Sequence, residues 1–391
     1  MNIIILTDYY HPIVKSGSII VGDLANELSQ QGHKITIVTF VDNQSKACQI
    51  NLEGEIQIIR IRSLTRKYGR VGRLLAEQSY SSKIKRNLKN LQNIPCDGII
   101  CYSPSIFYGK AIRWLKKKYN SKAYLVMRDI FPKWAIESGL LKKGLLYNYF
   151  KITEKSLYSS CNVIGIEAKS DLEYFENYGL NKSIKIEVLN NWGSSLDQID
   201  DYLSDNPLDD RKVNIVYGGN MGDAQDILSL VNSIDYSILG QRAIMLLMGE
   251  GNQFDKIKTT INKKNLTNIV LMSTVDRKRY LSIMSKADIG LVSLSKKMSS
   301  NNYPLKMIGY MQLAKPILAS VNKNNEIVQM IVKNNIGLVS LASDEKSFNK
   351  NLDILINNEA LRIEQGQNAF KLYKDQFTVE VAALQIYKHF L

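Results

Sequence analysis

The stretch "NIIILTDYYHPIVKSGSIIVGDLANELSQQGHKITIVTF", residues 2–40, contains the unit from which the fold of this chain can be predicted. It begins and ends with apolar runs, "NIIIL" (2–6) and "KITIVTF" (34–40), that are typical of buried strands. Between them Gly32 suits a helix C-terminal cap, and apolar residues recur at helical spacing at Ile20, Val21, Leu24, Ala25 and Leu28. This order of strand, loop, helix and strand is typical of a doubly wound sheet, whose ligands bind at the carboxyl ends of its strands.

The same alternation continues in two series. The first has predicted strands at 56–61, 98–102, 123–127, 162–166 and 184–188. Residues 191–212 are polar, acidic and rich in turn-forming residues, which is typical of a linker between domains. The second series has predicted strands at 213–217, 243–248, 269–272, 288–293, 316–320 and 336–340, and helices follow from about residue 344.

A chain of 391 residues, 45% of them hydrophobic, is long enough to form two cores. We therefore predict an α/β protein with two doubly wound, Rossmann-like domains, residues 1–190 and 213–375, that face a central cleft. The last helix, at about residues 376–391, is expected to pack back on the first domain.

The composition excludes several classes of protein. Apolar runs of about 18 residues are missing and the chain starts directly with a strand, so we expect a cytoplasmic protein. Cys48, Cys96, Cys101 and Cys161 form no CxxC pair, which indicates reduced thiols. With three histidines in the chain, a histidine-rich metal site is nearly excluded.

The net charge of +14 is concentrated in the first half. Residues 1–190 hold 28 lysines and arginines against 16 acidic residues, whereas residues 191–391 hold 23 against 21. Most of the excess lies in residues 66–91 and 110–122, where apolar residues are interleaved with the basic ones. This pattern fits a solvated basic face or contact with an anionic membrane surface, and it fits nucleic acid less well because no nucleic-acid-binding motif is present.

Glycine-rich loops follow several predicted strands. Gly17 in "KSGS" precedes the first long helix, and "YGGNMGDAQD" (217–226) and "LMGEGN" (247–252) follow strands of the second domain. Free amides in such loops and at helix N-termini favour phosphate, although an ordinary turn is the alternative at Gly17. The loops do not match GxGxxG, so a nicotinamide cofactor is not expected.

The segment "YPLKMIGYMQLAKPILAS" (303–320) predicts a short helix followed by a buried strand. Pro304 suits the first turn, but Lys306 is unfavourable there because the positive end of the helix dipole lies at the N-terminus. Gly309 costs about 1 kcal/mol relative to alanine in a helix interior. A bound anion would resolve the first conflict, and close approach of a ligand or tight packing would explain the glycine.

These motifs resemble the family 4 retaining glycosyltransferases of the GT-B fold, with "YGGNMG", "MGEG", "DRKRYLSIMSKADIGLVSL" and "PLKMIGYMQLAKPILAS" in the family's order. Three further segments, "CYSPSIFYGKAIRWLKKKY", "RDIFPKWAIESGLL" and "LNNWGSS", resemble the N-acetyl-L-fucosaminyl transferases of O-antigen and capsule biosynthesis.

The resemblance implies an enzyme that moves a sugar, N-acetyl-L-fucosamine, from a UDP-sugar to an undecaprenyl-diphosphate-linked saccharide with retention at the anomeric carbon. It implies no metal ion and no other cofactor. The acceptor places such an enzyme on the cytoplasmic face of the inner membrane, as a peripheral protein that touches anionic lipid through its basic first half and has no nucleic acid partner.

The resemblance also assigns roles to residues of this chain. Catalytic roles go to Arg128, where many relatives have a histidine, to Asp129 and to Lys306. The acceptor is expected to contact His11, Trp134 and Asn191, and the donor Gly17, Gly219, Asn220, Gln225, Gly249, Gly251, Val275, Lys306 and Gly309. Asn220 and Gln225 replace a basic pair of the family pattern, and Gly309 and Asn301 replace two acids.

Three alternatives remain open at this point. A strand-end ion pair is the structural alternative for Arg128 and Asp129. A UDP-sugar epimerase of the same fold is disfavoured because histidines and clustered carboxylates for acid–base work are scarce. A non-catalytic nucleotide-sugar-binding subunit would explain the replaced cations and acids.

Overall fold

The computed structural model describes residues 1–13, 15–42, 44, 46–63, 69–91, 94–193, 207–297, 304–323 and 325–391. The chain divides into two compact units. The first comprises Met1–Ser194 together with Val379–Leu391, and the second comprises Ser195–Thr378.

The first unit is built on an eight-stranded sheet in the order β3-β4-β2-β1-β5-β6-β7-β8. Its strands are β1 Asn2–Leu6, β2 Lys34–Val41, β3 Cys48–Glu53, β4 Ile56–Arg62, β5 Gly98–Tyr102, β6 Lys122–Val126, β7 Val163–Ile166 and β8 Lys185–Val188. Its helices before the linker are α1 Ser16–Gln30, α2 Gly69–Gln78, α3 Tyr80–Asn90, α4 Gly109–Tyr119, α5 Lys133–Glu137, α6 Leu145–Tyr158 and α7 Leu172–Glu176. All the strand pairs are parallel except β3 with β4, which is antiparallel.

The opening unit of the chain folds as its sequence predicts. Strands β1 and β2 pair in parallel, with Ile3 opposite Ile35, and α1 connects them. The predicted apolar positions of α1, including Leu24 and Leu28, are 0–4% exposed and face the core. The edge strand β3 was not predicted, because "CQINLE" alternates apolar and polar residues and contains no continuous apolar run.

The second unit is built on a six-stranded parallel sheet in the order β11-β10-β9-β12-β13-β14. Its strands are β9 Val213–Gly218, β10 Ala243–Met248, β11 Ile269–Met272, β12 Ile289–Ser293, β13 Ile317–Val321 and β14 Gly337–Leu341. Its helices are α8 Ile227–Ser233, α9 Tyr236–Leu239, α10 Phe254–Lys263, α11 Arg277–Ser285, α12 Leu305–Gln312, α13 Glu326–Asn334, α14 Glu345–Asn357 and α15 Glu359–Gln376.

The chain then returns to the first unit with its last helix, α16 Val379–Tyr387. This helix packs against α1, and its apolar side joins one of the two hydrophobic cores beside the first sheet. Just after this helix, Phe390 packs against Gly98, the first residue of β5. A Cβ on Gly98 would lie 2.4 Å from the Phe390 ring, so β5 needs a glycine at this position. Both units are therefore doubly wound α/β sheets, as predicted, and each places loops and helix N-termini at the carboxyl ends of its strands.

Candidate functional site

Two glycine loops interlock at the carboxyl edge of the second sheet. Gly219, after β9, donates its backbone N–H to Met248, and the amide of Met221 donates to Glu250 at 2.7 Å. A Cβ on Gly249 would lie 1.8 Å from the carbonyl oxygen of Gly219, and one on Gly251 would lie 2.4 Å from that of Met221. Gly249 and Gly251, expected as donor contacts, are thus required by the contact between the two loops themselves.

Lys306 lies in the first turn of α12 beside these loops. Its Nζ is 3.7 Å from the centroid of the Tyr217 ring, and a Cβ on Gly219 would lie 3.2 Å from it. The ammonium is buried and has no hydrogen-bond partner in the described part of the chain. Burial without a counter-ion lowers the pKa of Lys306 to about 7, because the charged form loses its hydration. A cation in this position is prepared to bind an anion.

Asn220 and Gln225, which the sequence places at the donor site, contact each other. Asn220 Nδ2 donates to Gln225 Oε1 at 2.8 Å, and the main-chain oxygen of Asn220 accepts from the Tyr217 hydroxyl. The two amides therefore stiffen the loop over Tyr217. They add no charge, so Lys306 is the cation that this part of the site offers.

The described surroundings of Gly309 in α12 are open. A Cβ there would meet no atom of the described residues within 4 Å, which argues against tight packing, the structural alternative. The next residue, Tyr310, is fully buried and its hydroxyl accepts from the amide of Gly218 at 3.3 Å, which fixes α12 against β9. Val275 is half-buried against the core in the loop before α11, and Asn301 lies outside the described residues.

Several polar side chains meet at the carboxyl edge of the first sheet. Arg128, after β6, donates from Nη1 to the carbonyl of Leu189 at 2.9 Å, and its guanidinium carbon lies 5.1 Å from the Trp192 ring centroid. Asn191, after β8, is 6% exposed. Gly17, in the first turn of α1, lies against Tyr102, since a Cβ there would be 3.2 Å from that ring.

Asp129 does not form the strand-end ion pair that was the alternative for its position. Its side chain is exposed, and no ion pair joins it to Arg128 in the described part of the chain. Desolvation by the surrounding chain raises the pKa of Asp129, and the charges of Arg128 and Arg73 oppose that rise.

Glu167 belongs to the same group of side chains and was missed in the sequence. It follows β7 directly and is 5% exposed, and its Oε1 accepts from Asn191 Nδ2. Burial raises the pKa of Glu167 to about 7, opposed by Arg128 and reinforced by Asp129 and Asp171. The signal was present: "VIGIEAKS" places an acid immediately after an apolar strand, at the edge where ligands bind.

The remaining acceptor candidates lie elsewhere in the first unit. His11 is exposed, its ring faces Gly22 of α1, and its carbonyl accepts from Arg60. Trp134 is 43% exposed on α5, with its ring 6.0 Å from that of Phe131. The structure thus groups Gly17, Arg128 and Asn191 and leaves His11 and Trp134 with other contacts.

Known proteins resemble the chain in sequence and in structure. Residues 198–372 match the family "Glycosyl transferases group 1". The probable glycosyltransferase WbjE of Pseudomonas aeruginosa is 22% identical over 240 residues, which span 60% of this chain and 57% of that relative.

Two solved structures show the fold. Sucrose-phosphate synthase from Thermosynechococcus elongatus has a TM-score of 0.73 at 14% identity and covers 100% of this chain and 98% of its own. WaaG, a glycosyltransferase involved in lipopolysaccharide biosynthesis, has a TM-score of 0.64 at 14% identity and covers 98% of this chain and 99% of its own. The chain therefore has the GT-B fold, and its second unit contains the segment that matches the group 1 glycosyl transferases.

Proposed function

We propose that this protein is a retaining, metal-independent glycosyltransferase that moves a sugar from a UDP-sugar to an undecaprenyl-diphosphate-linked saccharide in O-antigen or capsule biosynthesis. The sugar proposed is N-acetyl-L-fucosamine. The observation that carries the proposal is the buried ammonium of Lys306, which has no counter-ion among the described residues and lies beside two glycine loops in the matched segment.

The chemistry of sugar transfer explains why this ammonium supports the proposal. When the bond between the sugar and the diphosphate breaks, negative charge develops on the departing UDP and must be stabilised. Lys306 supplies a cation from the first turn of α12, where free backbone amides also favour an anion. A buried charge of this kind is costly unless it is paired, which supports the binding of an anion such as a diphosphate beside Lys306.

Two relatives and the polar side chains of the first unit support the acceptor half of the proposal. WbjE is described as a probable glycosyltransferase, and WaaG is described as acting in lipopolysaccharide biosynthesis. The polar side chains at the carboxyl edge of the first sheet, Arg128, Glu167 and Asn191, are suited to binding a polar acceptor.

We also propose that the first unit binds the surface of an anionic membrane through part of its basic stretches and a neighbouring helix. Of the apolar residues interleaved with the basic stretches, Ile84, Leu88 and Leu115 are 0–1% exposed because they face the core, whereas Leu75 on α2 is 55% exposed. Among the described residues, no helix has the length and apolar character needed to cross a membrane.

A group of exposed apolar side chains lies on α2, α6 and the segment before α6. We call them the apolar surface: Val71 (70% exposed), Leu75 (55%), Trp134 (43%), Leu140 (53%), Leu145 (91%), Leu146 (49%), Tyr149 (39%) and Ile152 (71%). The two helices meet where Gln78 donates to the Tyr149 hydroxyl at 3.1 Å. Exposed lysines adjoin this surface at Lys142, Lys143 and Lys155, and apolar side chains bordered by cations suit an anionic bilayer.

Transfer is tested by incubating the protein with a panel of UDP-sugars and a lipid-diphosphate-linked saccharide in the presence of a chelator, and measuring the product mass. One donor is expected to give a product heavier by one sugar, and Lys306→Met is expected to give none. Binding of UDP without transfer from any donor would favour the non-catalytic alternative.

Membrane binding is tested by sedimentation with vesicles that contain anionic lipid. Ile152→Glu is expected to weaken binding strongly, because it places a charge where an apolar side chain enters the interface. The matched control is Ile363→Glu on α15 of the second unit, where the isoleucine is 54% exposed and the change is expected to have little effect. Equal binding of both variants and the wild type would disprove the assignment of this surface.

A further inference from the structure

The guanidinium of Arg128 has one side that is used and one that is not. Nη1 donates to Leu189, and the face of the group lies beside Trp192, which is itself 1% exposed. Nε and Nη2 are buried and donate no well-formed hydrogen bond in the described part of the chain, and the Tyr102 hydroxyl lies close enough for Arg128 to oppose the rise of the Tyr102 pKa. These two N–H groups form the lateral edge of the guanidinium, the edge that can bind two oxygens of one carboxylate or phosphate.

A carboxylate lies nearby but does not occupy that edge. Glu167 is close enough for Arg128 to oppose the rise of its pKa, yet the two side chains form no ion pair among the described residues. Instead Asn191 holds Glu167 through its amide nitrogen. The oxygen Oδ1 of Asn191 is left buried without a partner, so a hydrogen-bond acceptor lies in the same group of side chains as two unpaired donors.

Buried polar groups of this kind are costly unless something completes their hydrogen bonds. The complementary ligand has two anionic oxygens side by side for Arg128 and a neighbouring O–H or N–H for Asn191. A saccharide that carries a phosphate or a carboxylate has both features.

We propose that Arg128, Asn191 and Glu167 form a subsite at the carboxyl edge of the first sheet that binds an oxyanion on the acceptor saccharide. Arg128 binds the oxyanion, and Asn191 accepts from an adjacent hydroxyl or amide. The protonation state of Glu167 determines the net charge of the subsite. The oxyanion is a phosphate of the diphosphate linkage or the carboxylate of an acidic sugar. The identification of the ligand as the acceptor rests on the proposed transferase function, whereas its chemistry rests on the side chains alone.

The charge of Glu167 gives the subsite a pH dependence. Its pKa of about 7 means that it is neutral below pH 7, where Arg128 meets the ligand with an uncompensated positive charge. Above pH 7 Glu167 becomes anionic and repels the ligand. Arg128, Asp129 and Asp171 are the charged groups that act on Glu167.

The test is calorimetric binding in saturating UDP, which keeps the probes away from Lys306. The probes are a water-soluble short-alkyl diphosphate-linked N-acetylhexosamine, free N-acetylhexosamine and glucuronate, and neither anionic probe titrates near pH 7. One anionic probe is expected to bind more tightly than the neutral sugar. Which one does so distinguishes a phosphate from a carboxylate.

Two variants, Arg128→Lys and Glu167→Gln, and one control variant test the subsite. Arg128→Lys keeps the charge but loses the lateral edge and is expected to weaken binding of the anion about tenfold. Arg113→Lys is the matched control, because Arg113 also donates to a main-chain carbonyl but lies on the outer helix α4. Glu167→Gln keeps a side-chain oxygen for Asn191 and is expected to abolish a loss of affinity of about tenfold between pH 6 and pH 8.

The proposal is wrong if neither anion binds more tightly than the neutral sugar, or if Arg128→Lys binds the anion as the wild type does. An unchanged pH dependence in Glu167→Gln would overturn the role of Glu167. The circular dichroism spectrum and melting temperature of each variant report whether it is folded. Failure of transfer with every donor would count against the proposed function and would leave this binding result unaffected.

Discussion

Binding of UDP should depend on pH through Lys306, because the free protein holds this ammonium without a counter-ion. In the free protein the pKa of Lys306 is about 7. A bound diphosphate would favour the charged form and raise the pKa toward its usual range. Binding above pH 7 therefore requires uptake of a proton, and the affinity must fall as the pH rises.

The size of the effect follows from this pKa. Below pH 7 Lys306 is already charged and the affinity should be flat, apart from the titration of UDP itself. Above it, the affinity should fall about tenfold per pH unit, which amounts to about fiftyfold between pH 7 and pH 9 and about 1.4 kcal/mol per unit. At pH 8 the wild type should take up about 0.9 proton for each UDP bound.

Isothermal titration calorimetry in two buffers of different ionisation enthalpy measures both the affinity and the proton uptake. Lys306→Arg should bind without this slope, because arginine stays charged across the range. Lys306→Met should bind weakly at every pH and take up no proton. A wild-type affinity as flat as that of the arginine variant, or a slope that survives in that variant, would refute the reasoning.

Three further changes test other parts of the structure. Gly249→Ala should lower the melting temperature and abolish UDP binding, since its Cβ would lie 1.8 Å from the Gly219 carbonyl oxygen. Gly144→Ala is the control, because a Cβ there would meet no described atom within 4 Å. Equal melting temperatures of the two variants would contradict the contact between the loops. Gly309→Ala should raise stability by about 0.5–1 kcal/mol because its Cβ meets nothing. A simultaneous loss of UDP affinity would show that ligand uses the open space, and lower stability would contradict the geometry. Glu154→Leu should lower the free energy of unfolding by about 2–4 kcal/mol, because the fully buried carboxylate accepts from three tyrosine hydroxyls and pairs with a lysine at 2.6 Å. Urea unfolding measures this loss, and an unchanged midpoint would contradict the stabilising role of Glu154.

The basic stretch at residues 66–91 shows what inference from sequence leaves open. Its apolar and basic residues are interleaved as they would be on a membrane-binding helix, yet Ile84 and Leu88 are core residues, whereas Val71 and Leu75 are exposed. Helical periodicity shows that a helix has an apolar side, but not what covers that side. In α3 the strand β4 and the helix α4 cover it, whereas α2 keeps exposed apolar residues.

Some of the candidate site residues could be predicted from the sequence and others could not. Lys306 could be predicted because a cation in the first turn of a helix conflicts with the helix dipole, and such a local conflict is visible in the sequence. Glu167 could not be singled out so readily, since its importance depends on Asn191, Arg128 and burial, which the fold brings together from separate strands. The glycines of the two loops were recognised, but their contact with each other was not.

The sequence by itself determined the two doubly wound sheets, because strand and helix periods, glycine loops and caps are local patterns that repeat along the chain. It also predicted an anion beside Lys306. Only the tertiary structure decided which apolar faces stay exposed, how far Lys306 and Glu167 are desolvated, and which polar atoms at the first sheet edge lack partners. Exposure, desolvation and hydrogen-bond pairing depend on neighbours distant in sequence, so no local pattern contains them.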